Sequence, residues 1–498
     1  MTPPESRQAL EDELDRNPHL TSLPAPKADV LAPAELTQTS GTGDLFRCSE
    51  VQAAIEEDFI VLPCDLVCEL EGASLVDTWM IQQAGLGSST EGAATHGRGG
   101  ALTVWYQTKE EGADKNTETD FLATTPLTRP IVPPPQNFLA PDVSKLVLSM
   151  PTDTLNDRMD EQKGLRIRHG LLKKHGRIRM RTTYRDSHIY LFPYWVKDFI
   201  QRNDEFESIS EDALGWWAKA TWQDGLAQKL SMDDVLKTST AAANGANNST
   251  LDGEEVHVAS LSSTWTTHPA VKEDTESPFA SRVLNSSLPT PDLTKFATPS
   301  VLAYVQPTDP ALPLIRRVDT AHLLLQVSLR LAKQQSIEEA HNAGVTPSPF
   351  AHPTKVHHSS PVPRQCRVEE ENSLVAENVT ISEKCNVKES VIGANCKIGV
   401  GARLLRCMLM DGVEVGDNVQ LTGCIIGKRC KLEGGARSDD MTKLTDVEVQ
   451  DGYFVKWGTE VKKDKMMRFE GLEEDQNGEG MDDMDEAGND LEAETVDV

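Results

Sequence analysis

Apolar residues between positions 375 and 432 recur with a period of 17 residues. Within each period the main positions are separated by six, six and five residues, and a small residue usually stands two positions before each of them. A step of six keeps one face of the chain inward, so the chain must turn between short strands. The spacing predicts a triangular solenoid, a left-handed β-helix of hexapeptide repeats over residues 366–458.

The columns of this repeat are almost entirely apolar. The main positions are Val375, Ile392, Leu409 and Ile426; Ile381, Ile398, Val415 and Leu432; and Val387, Leu404, Leu421 and Ser438. The small positions include five cysteines that we expect to be buried as small hydrophobic residues, namely Cys385, Cys396, Cys407, Cys424 and Cys430. Glycines directly follow four main positions, where we expect them to turn the corners with positive φ: Gly393, Gly399, Gly416 and Gly427.

The chain before the solenoid alternates between strand and helix patterns. The predicted strands are a buried strand at Phe59–Leu62 and strands at Ala101–Gln107, Lys145–Met150 and His188–Phe192. The predicted helices are Ser74–Gln83, Trp195–Arg202, Asp212–Trp222 and His322–Ala332. This alternation indicates an α/β domain with a mainly parallel sheet over residues 1–335. Residues 231–298 are predicted to be a disordered insertion, and residues 336–365 a linker.

Charge and composition narrow the class of protein. Lys and Arg number 49 against 78 Asp and Glu, a net charge of −29 that argues against binding DNA or an anionic membrane. No apolar run is long enough to span a membrane, and the N-terminus lacks the pattern of a secretory signal. The nine cysteines have no framework spacing, so we expect a cytoplasmic (cytosol) protein. Residues 459–498 are predicted to be an acidic disordered tail.

Four segments, together with the 17-residue coils, carry a resemblance to a known family. They are Asp58–Glu71 (DFIVLPCDLVCELE), Ser187–Val196 (SHIYLFPYWV), Phe206–Leu214 (FESISEDAL) and Arg317–Thr320 (RVDT). As a set they resemble the nucleotidyltransferase-like, hexapeptide-repeat subunits of translation initiation factor 2B, the guanine-nucleotide exchange factor for initiation factor 2. The resemblance implies that residues 1–335 form a nucleotidyltransferase-like (Rossmann-like) domain.

Two departures from the family pattern change what the resemblance implies. Family members open with a strand and a glycine-rich loop whose Arg and Lys hold nucleotide phosphates, and nothing similar precedes Thr39. We therefore expect a partial domain that starts inside the fold and leaves a sheet edge unpaired. Residues 459–498 are also too few for the helical catalytic domain that ends the epsilon subunit.

The resemblance implies a non-catalytic scaffold subunit that is not itself an enzyme and needs no cofactor. It would pair with the epsilon subunit, join the alpha, beta and delta subunits, and support GDP release from initiation factor 2. The alternative is an active sugar-phosphate nucleotidyltransferase of the mannose-1-phosphate guanylyltransferase type, which would require the phosphate loop. An acyltransferase built on the solenoid would need a catalytic histidine, and the sequence from Glu369 to Val461 contains none.

Three residues are candidate vestiges of a transferase site. Asp65 follows a predicted strand, where an α/β sheet places ligand-binding groups. The resemblance implies that the matching Asp of active transferases holds magnesium, but no second carboxylate to share the metal stands out here. We favour a vestigial or turn-capping Asp65. Gly41 and Thr42 resemble the loop that contacts the nucleotide base, with a plain turn as the favoured alternative.

A basic stretch interrupts this acidic chain. Between Gly164 and Arg185 there is no acidic residue and there are eight basic ones: Arg166, Arg168, Lys173, Lys174, Arg177, Arg179, Arg181 and Arg185. The alternation of Arg177, Arg179 and Arg181 predicts a strand with one basic face. The stretch is either a docking patch for an acidic partner or RNA, or a solvated edge strand protected by its charge.

Overall fold

The computed structural model describes residues 1–21, 26–37, 39–84, 99–108, 118–127, 139–237, 298–309, 312–435 and 441–467. They belong to two compact units, Met1–Asp319 and Thr320–Val498. The boundary between the units therefore falls at residue 319 rather than at 335, and the helix predicted at His322–Ala332 belongs with the solenoid. No helix in the described ranges is long and apolar enough to cross a membrane.

The first unit is built on a six-stranded sheet and a small ribbon. Its strands are β1 Phe59–Val61, β2 Leu66–Cys68, β3 Leu102–Gln107, β4 Asp120–Pro126, β5 Val143–Pro151, β6 Arg179–Phe192, β7 Leu302–Val305 and β8 Ile315–Arg317. The sheet has the order β1-β6-β3-β7-β5-β4, while β2 and β8 form the antiparallel ribbon. The first half of β6 pairs with β4 and its second half pairs with β3 and β1.

The prediction of a mainly parallel sheet is wrong for the described strands. Only β3 and β7 run parallel, whereas the other pairs in this sheet are antiparallel. Strand–helix alternation suggested crossover connections, but β1 and β3 both pair antiparallel with β6. The prediction also missed β4, whose sequence DFLATTP lacks a clear apolar alternation and which lies antiparallel beside both β5 and β6.

Helices pack on both faces of this sheet. The α-helices of the first unit are Arg7–Arg16, Pro18–Thr21, Ser49–Ala54, Gly72–Ala84, Thr152–Gln162, His169–Lys174, Trp195–Arg202, Leu214–Ala220 and Leu226–Lys229, with a π turn at Ile209–Ala213. Along β3 the side chains alternate between two cores. Leu102 and Tyr106 join one core, and Trp105 joins the other beside Trp195 and Trp217.

The chain beyond these helices stays folded further than expected. Residues 232–237 are helical, and Met232, Val235 and Leu236 are buried. Residues 232–237 are therefore not part of a disordered insertion. The remainder of that prediction, over residues 238–297, lies outside the described residues.

Strand β1 differs from the buried strand predicted at Phe59–Leu62. It pairs only with β6 among the described strands, so it forms an edge of the sheet. Phe59 and Val61 pack against the core, but Ile60 is 50% exposed and Leu62 is 63% exposed. Only one face of this strand is buried, because helices cover it from one side.

The second unit contains the predicted solenoid, built from three parallel sheets. The first sheet contains Leu374–Val375, Val391–Ile392, Met408–Leu409, Ile425–Ile426, Glu448–Val449 and Lys465–Met466. The second contains Thr380–Ile381, Lys397–Ile398, Glu414–Val415, Lys431–Leu432 and Phe454–Val455. The third contains Arg367–Val368, Asn386–Lys388, Arg403–Leu405, Gln420–Thr422, Lys443–Thr445 and Glu460–Lys462.

The inward columns are confirmed, with one correction. The five solenoid cysteines are buried and the apolar main positions form one continuous core. Ser438 lies outside the described residues, and its predicted place is taken by Leu444, which pairs with Leu421. The spacing there is 23 residues instead of 17 because the chain inserts six extra residues. The solenoid also continues to Met466, so it ends beyond the predicted limit at 458.

The corners of the solenoid are not turned by the four predicted glycines. Positive φ values occur instead one residue before the small positions, as at Asn395 (φ 58°) before Cys396 and Gly401 (φ 74°) before Ala402. None of the four predicted glycines has a positive φ. Their role is steric: a Cβ atom on Gly399 would lie 2.5 Å from the carbonyl carbon of Gly416 in the next coil.

The segment predicted as a linker, residues 336–365, is part of the second unit. Helix Ile337–Ala343 opens with a capping box, and Val356 bridges in parallel to Val375 in the first sheet. Lys355 donates from its ammonium group to the carbonyl oxygens of Ala332 and Gln334, which end the preceding helix. That helix, Ala321–Lys333, contacts the solenoid through two leucines. The segment therefore closes one end of the solenoid.

We expect Gly399→Ala to destabilise the solenoid by about 3 kcal/mol, because the new methyl group overlaps main-chain atoms of the next coil. Chemical denaturation of the full chain, followed by circular dichroism, measures this loss. Gly452→Ala is the matched control, since a Cβ there meets open space and the positive φ of 68° alone costs about 1 kcal/mol. Equal losses for the two variants would contradict the steric role of Gly399.

Candidate functional site

The ribbon of β2 and β8 brings an arginine against the predicted Asp65. Leu66 pairs with Arg317 in this ribbon, and Val318 donates its backbone N–H to the carbonyl oxygen of Asp65 over 2.7 Å. The Arg317 guanidinium donates from Nε and Nη2 to Oδ2 of Asp65, at 3.1 and 3.0 Å. Both side chains are mostly buried. Asp65 is therefore a mostly buried, ion-paired carboxylate.

A second arginine forms a neighbouring ion pair network. Arg185 is buried and donates to Oδ2 of Asp319 at 2.6 Å and to Glu118 at 2.7 Å. Burial alone would raise the pKa of Asp319, but the hydrogen bond and charge of Arg185, with the charge of Arg317, hold that pKa below its usual range. Arg185 thus forms ion pairs with two carboxylates and is not part of an exposed basic strand face.

His188 occupies the space beside Arg317 in an uncharged form. Burial, followed by the charge of Arg317, lowers the pKa of His188 to about 4. Its Nε2 lies 3.2 Å from Nη1 of Arg317, and because an arginine can only donate, the imidazole nitrogen accepts. The backbone of His188 has a φ of 56°, which is unusual for a residue with a side chain.

Two acidic side chains lie deeper in the same region. The Asp186 backbone N–H donates to Asp120 at 2.8 Å, and the hydroxyl of Tyr190 donates to Asp186 at 2.8 Å. Burial raises the pKa of Asp120 to about 6. Burial and then the charge of Asp120 raise the pKa of Asp186 to about 7. These carboxyls therefore release their protons at higher pH than ordinary aspartates do.

These groups line a cavity of about 330 Å³. Its walls include Asp120, Arg185, Asp186, His188 and Arg317. Within the cluster each arginine already faces at least one carboxylate, and the imidazole is neutral. The cavity therefore offers hydrogen-bonding groups and shared protons, but no cation whose charge is unmatched.

The donor set does not fit a divalent metal. Oδ2 of Asp65 is held by the Arg317 guanidinium, a fixed cation in the place where a metal ion would need the carboxylate. Oδ1 of Asp65 has no hydrogen-bond partner in the structure. Across the described ranges, no three His, Cys, Asp or Glu side chains cluster in a way that could hold a metal ion. No step through magnesium is derived for this site.

Gly41 and Thr42 contact residues 207–209 rather than Asp65. Oγ1 of Thr42 accepts from the backbone N–H of Ile209 at 3.0 Å. A Cβ atom on Gly41 would lie 2.2 Å from the carbonyl oxygen of Glu207. The glycine thus allows two backbone segments to approach closely.

Sequence reasoning named Asp65 but missed the residues that decide its chemistry. Arg317 and His188 belong to segments quoted for the resemblance, RVDT and SHIYLF, yet their roles were not predicted. Arg317 is 252 positions from Asp65 in the chain, so no local pattern connects them. The only signal was the occurrence of a basic residue and an acidic residue two positions apart, Arg317 and Asp319, beside a strand.

One comparison with known proteins falls within the second unit. Residues 355–455 match the family model described as "EIF2B subunit epsilon LbH domain". Over 72 residues the chain is 29% identical to translation initiation factor eIF2B subunit gamma of Schizosaccharomyces pombe. That alignment covers 14% of this chain and 16% of the yeast protein's length. The chain therefore contains an eIF2B-like, left-handed β-helical hexapeptide-repeat domain.

A solved structure is also similar over part of the chain. It is a mutant of perosamine N-acetyltransferase from Caulobacter crescentus, crystallised with CoA and GDP-perosamine. The identity is 23%, the TM-score is 0.14, and the match covers 22% of this chain and 49% of the other. At that TM-score the likeness supports no argument about fold or function.

We expect Asp186→Asn to flatten the pH dependence of stability. Because the raised pKa values of Asp120 and Asp186 make the folded state bind more protons than the unfolded state, wild-type stability falls as pH rises from about 4 through about 7. Between about pH 5 and about pH 8, the variant should lose about 2 kcal/mol less than wild type. Urea unfolding at both pH values measures this, with Asp204→Asn at an exposed position as control. An unchanged slope in Asp186→Asn would contradict the assignment.

Removing the Arg317 guanidinium should leave the Asp65 carboxylate without its ion-pair partner. We expect Arg317→Ala to cost about 3 kcal/mol, because Asp65 then stays partly buried without its partner. Urea denaturation of the variant and of wild type measures this loss. The neighbouring Arg316→Ala serves as the control, since Arg316 lies over the Tyr106 ring. An unchanged free energy of unfolding in Arg317→Ala would contradict the stabilising role of the ion pair.

Proposed function

We propose that this chain is a non-catalytic scaffold subunit of the gamma type in the translation initiation factor 2B complex. In this role it pairs with an epsilon subunit, joins the alpha, beta and delta subunits in the cytosol, and supports exchange of GDP for GTP on initiation factor 2. The observation that carries the proposal is the eIF2B-type β-helix over residues 355–455. The similarity to a gamma subunit favours gamma over epsilon.

The geometry around Asp65 supports a scaffold rather than a transferase. A nucleotidyltransferase lowers its barrier by placing cations where phosphate charge develops. Here the nearest cations are committed to carboxylates: Arg317 to Asp65, and Arg185 to Asp319 and Glu118. Binding a sugar nucleotide would require these ion pairs to break first. This cost weighs against the alternative of a sugar-phosphate nucleotidyltransferase.

The solenoid supplies a structure suited to assembly. Its coils stack through backbone hydrogen bonds between successive turns, so each coil is held in register by its neighbours. The strands expose side chains along three flat faces, including Leu405 and Phe454, which are about 40% exposed. A rigid rod with partly apolar faces can hold partner subunits without moving during the exchange reaction.

The test is affinity purification of the tagged full chain from its own cells. We expect the epsilon-like, alpha, beta and delta subunits in stoichiometric amounts by mass spectrometry. The eluate should also accelerate release of labelled GDP from initiation factor 2. Gly399→Ala is the matched variant, because it disturbs the solenoid and should lose the partners.

Two outcomes would contradict the proposal. One is recovery of the chain without these subunits under conditions where the fold is intact by circular dichroism. The other is Mg²⁺-dependent release of pyrophosphate from a nucleoside triphosphate and a sugar phosphate by the purified chain alone. The second result would revive the transferase alternative.

A further inference from the structure

The segment from residue 163 to residue 180 separates sharply into a buried side and an exposed side. Leu165, Leu171 and Ile178 pack into a core cluster with Trp222. Trp222 in turn donates its indole N–H to the carbonyl oxygen of Val147 over 2.7 Å. These contacts anchor helix His169–Lys174 and the start of β6, so the outward side chains stand on a fixed support.

The outward side is basic, and we call it the basic surface. It consists of four exposed or half-exposed cations: Arg166, Arg168, Lys173 and Lys219. None of the four forms an ion pair with a residue in the described ranges. Lys174 and Arg181 differ, because Lys174 donates to the carbonyl oxygen of Thr221 and Arg181 donates to the hydroxyl of Thr124.

Two cations of the basic surface, Arg168 and Lys219, are close enough to repel each other. Burial, followed by the charges of Arg158 and Arg168, lowers the pKa of Lys219. Asp212 acts in the opposite direction, but more weakly. Unmatched positive charge on a chain with a net charge of −29 costs stability at this surface, and an anionic partner would remove that cost.

Large apolar side chains are exposed among these cations. Ile167 is 42% exposed, Leu172 is 52% exposed and Met180 is 39% exposed. Trp216 is 40% exposed, and the ammonium group of Lys219 lies 4.4 Å from the centroid of its ring. Apolar groups that stand beside unmatched charge mark a protein interaction site more often than a solvated face.

We propose that the basic surface docks an acidic polypeptide segment that also carries apolar side chains. Carboxylates of the segment would pair with the arginines and lysines, and its apolar side chains would cover Ile167, Leu172 and Met180. Arginine suits this task because its planar fork binds carboxylates in a bidentate manner.

RNA fits the same surface less well. Single-stranded RNA binds through aromatic rings on which bases stack. Only Trp216 offers a large exposed ring near this surface in the described ranges, and Lys219 already covers one face of it. Phosphates would also leave the exposed aliphatic side chains in water, and the negative charge of the chain would repel the rest of the strand.

The test is a fluorescence anisotropy titration of the full chain with three labelled probes. The first is a peptide of about 20 residues in which Glu and Leu alternate, and the second has Ser in place of Leu. The third is an oligouridylate of about 20 nucleotides. We expect the Glu–Leu peptide to bind at least about tenfold more tightly than the Glu–Ser peptide, and the oligouridylate to bind most weakly.

Two pairs of substitutions locate the binding. Arg166→Glu with Arg168→Glu should weaken binding of the Glu–Leu peptide at least about tenfold, whereas Lys428→Glu with Lys456→Glu, the same charge change on the solenoid, should leave it unchanged. Ile167→Ser with Leu172→Ser should weaken the Glu–Leu peptide and spare the Glu–Ser peptide, which a general loss of fold would not do.

Three results would overturn the proposal. The first is a failure of the wild-type chain to bind the Glu–Leu peptide. The second is equal weakening by the two charge-reversal pairs. The third is tighter binding of the oligouridylate than of the peptide, which would assign the surface to nucleic acid. Each readout uses the purified chain alone, so the result is independent of whether the chain assembles with translation factors.

Discussion

The close approach of successive coils is the constraint on which the solenoid depends. Each coil donates backbone N–H groups to the carbonyl oxygens of the next, so every position faces the same neighbour in each turn. That spacing leaves no room for a Cβ at Gly399, and it fully buries the side chains of Cys396 and Ala402. The spacing between successive coils sets all of these requirements. The sequence must therefore repeat them with the period of the coil.

The first unit depends on a different interaction, the pairing of buried arginines with carboxylates. A buried charge without a partner would cost several kcal/mol. Arg317 therefore needs Asp65, and Arg185 needs Asp319 and Glu118. These contacts also join the ribbon of β2 and β8 to β6. Arg185 and Arg317, which line the cavity, thus also hold these strands together.

Sequence reasoning succeeded where structure is local or periodic and failed where it depends on distant pairing. The columns of Val375 and Ile381 were visible because one environment repeats with each coil. The corners were not visible, since Asn395, Gly401 and Arg429 all have positive φ and share no residue type. Strand direction in the sheet and the contact of Arg317 with Asp65 both join segments far apart in the chain, where no spacing rule applies.

The charges of the first unit are arranged in opposite ways inside and outside. Inside the cavity the arginines are matched by carboxylates, so the cavity gains little electrostatic energy from a new anionic ligand. On the basic surface the cations stand unmatched above a rigid core. Binding energy is available where charge is unsatisfied and the support is already ordered. The capacity of this unit for recognition therefore lies on its outer surface.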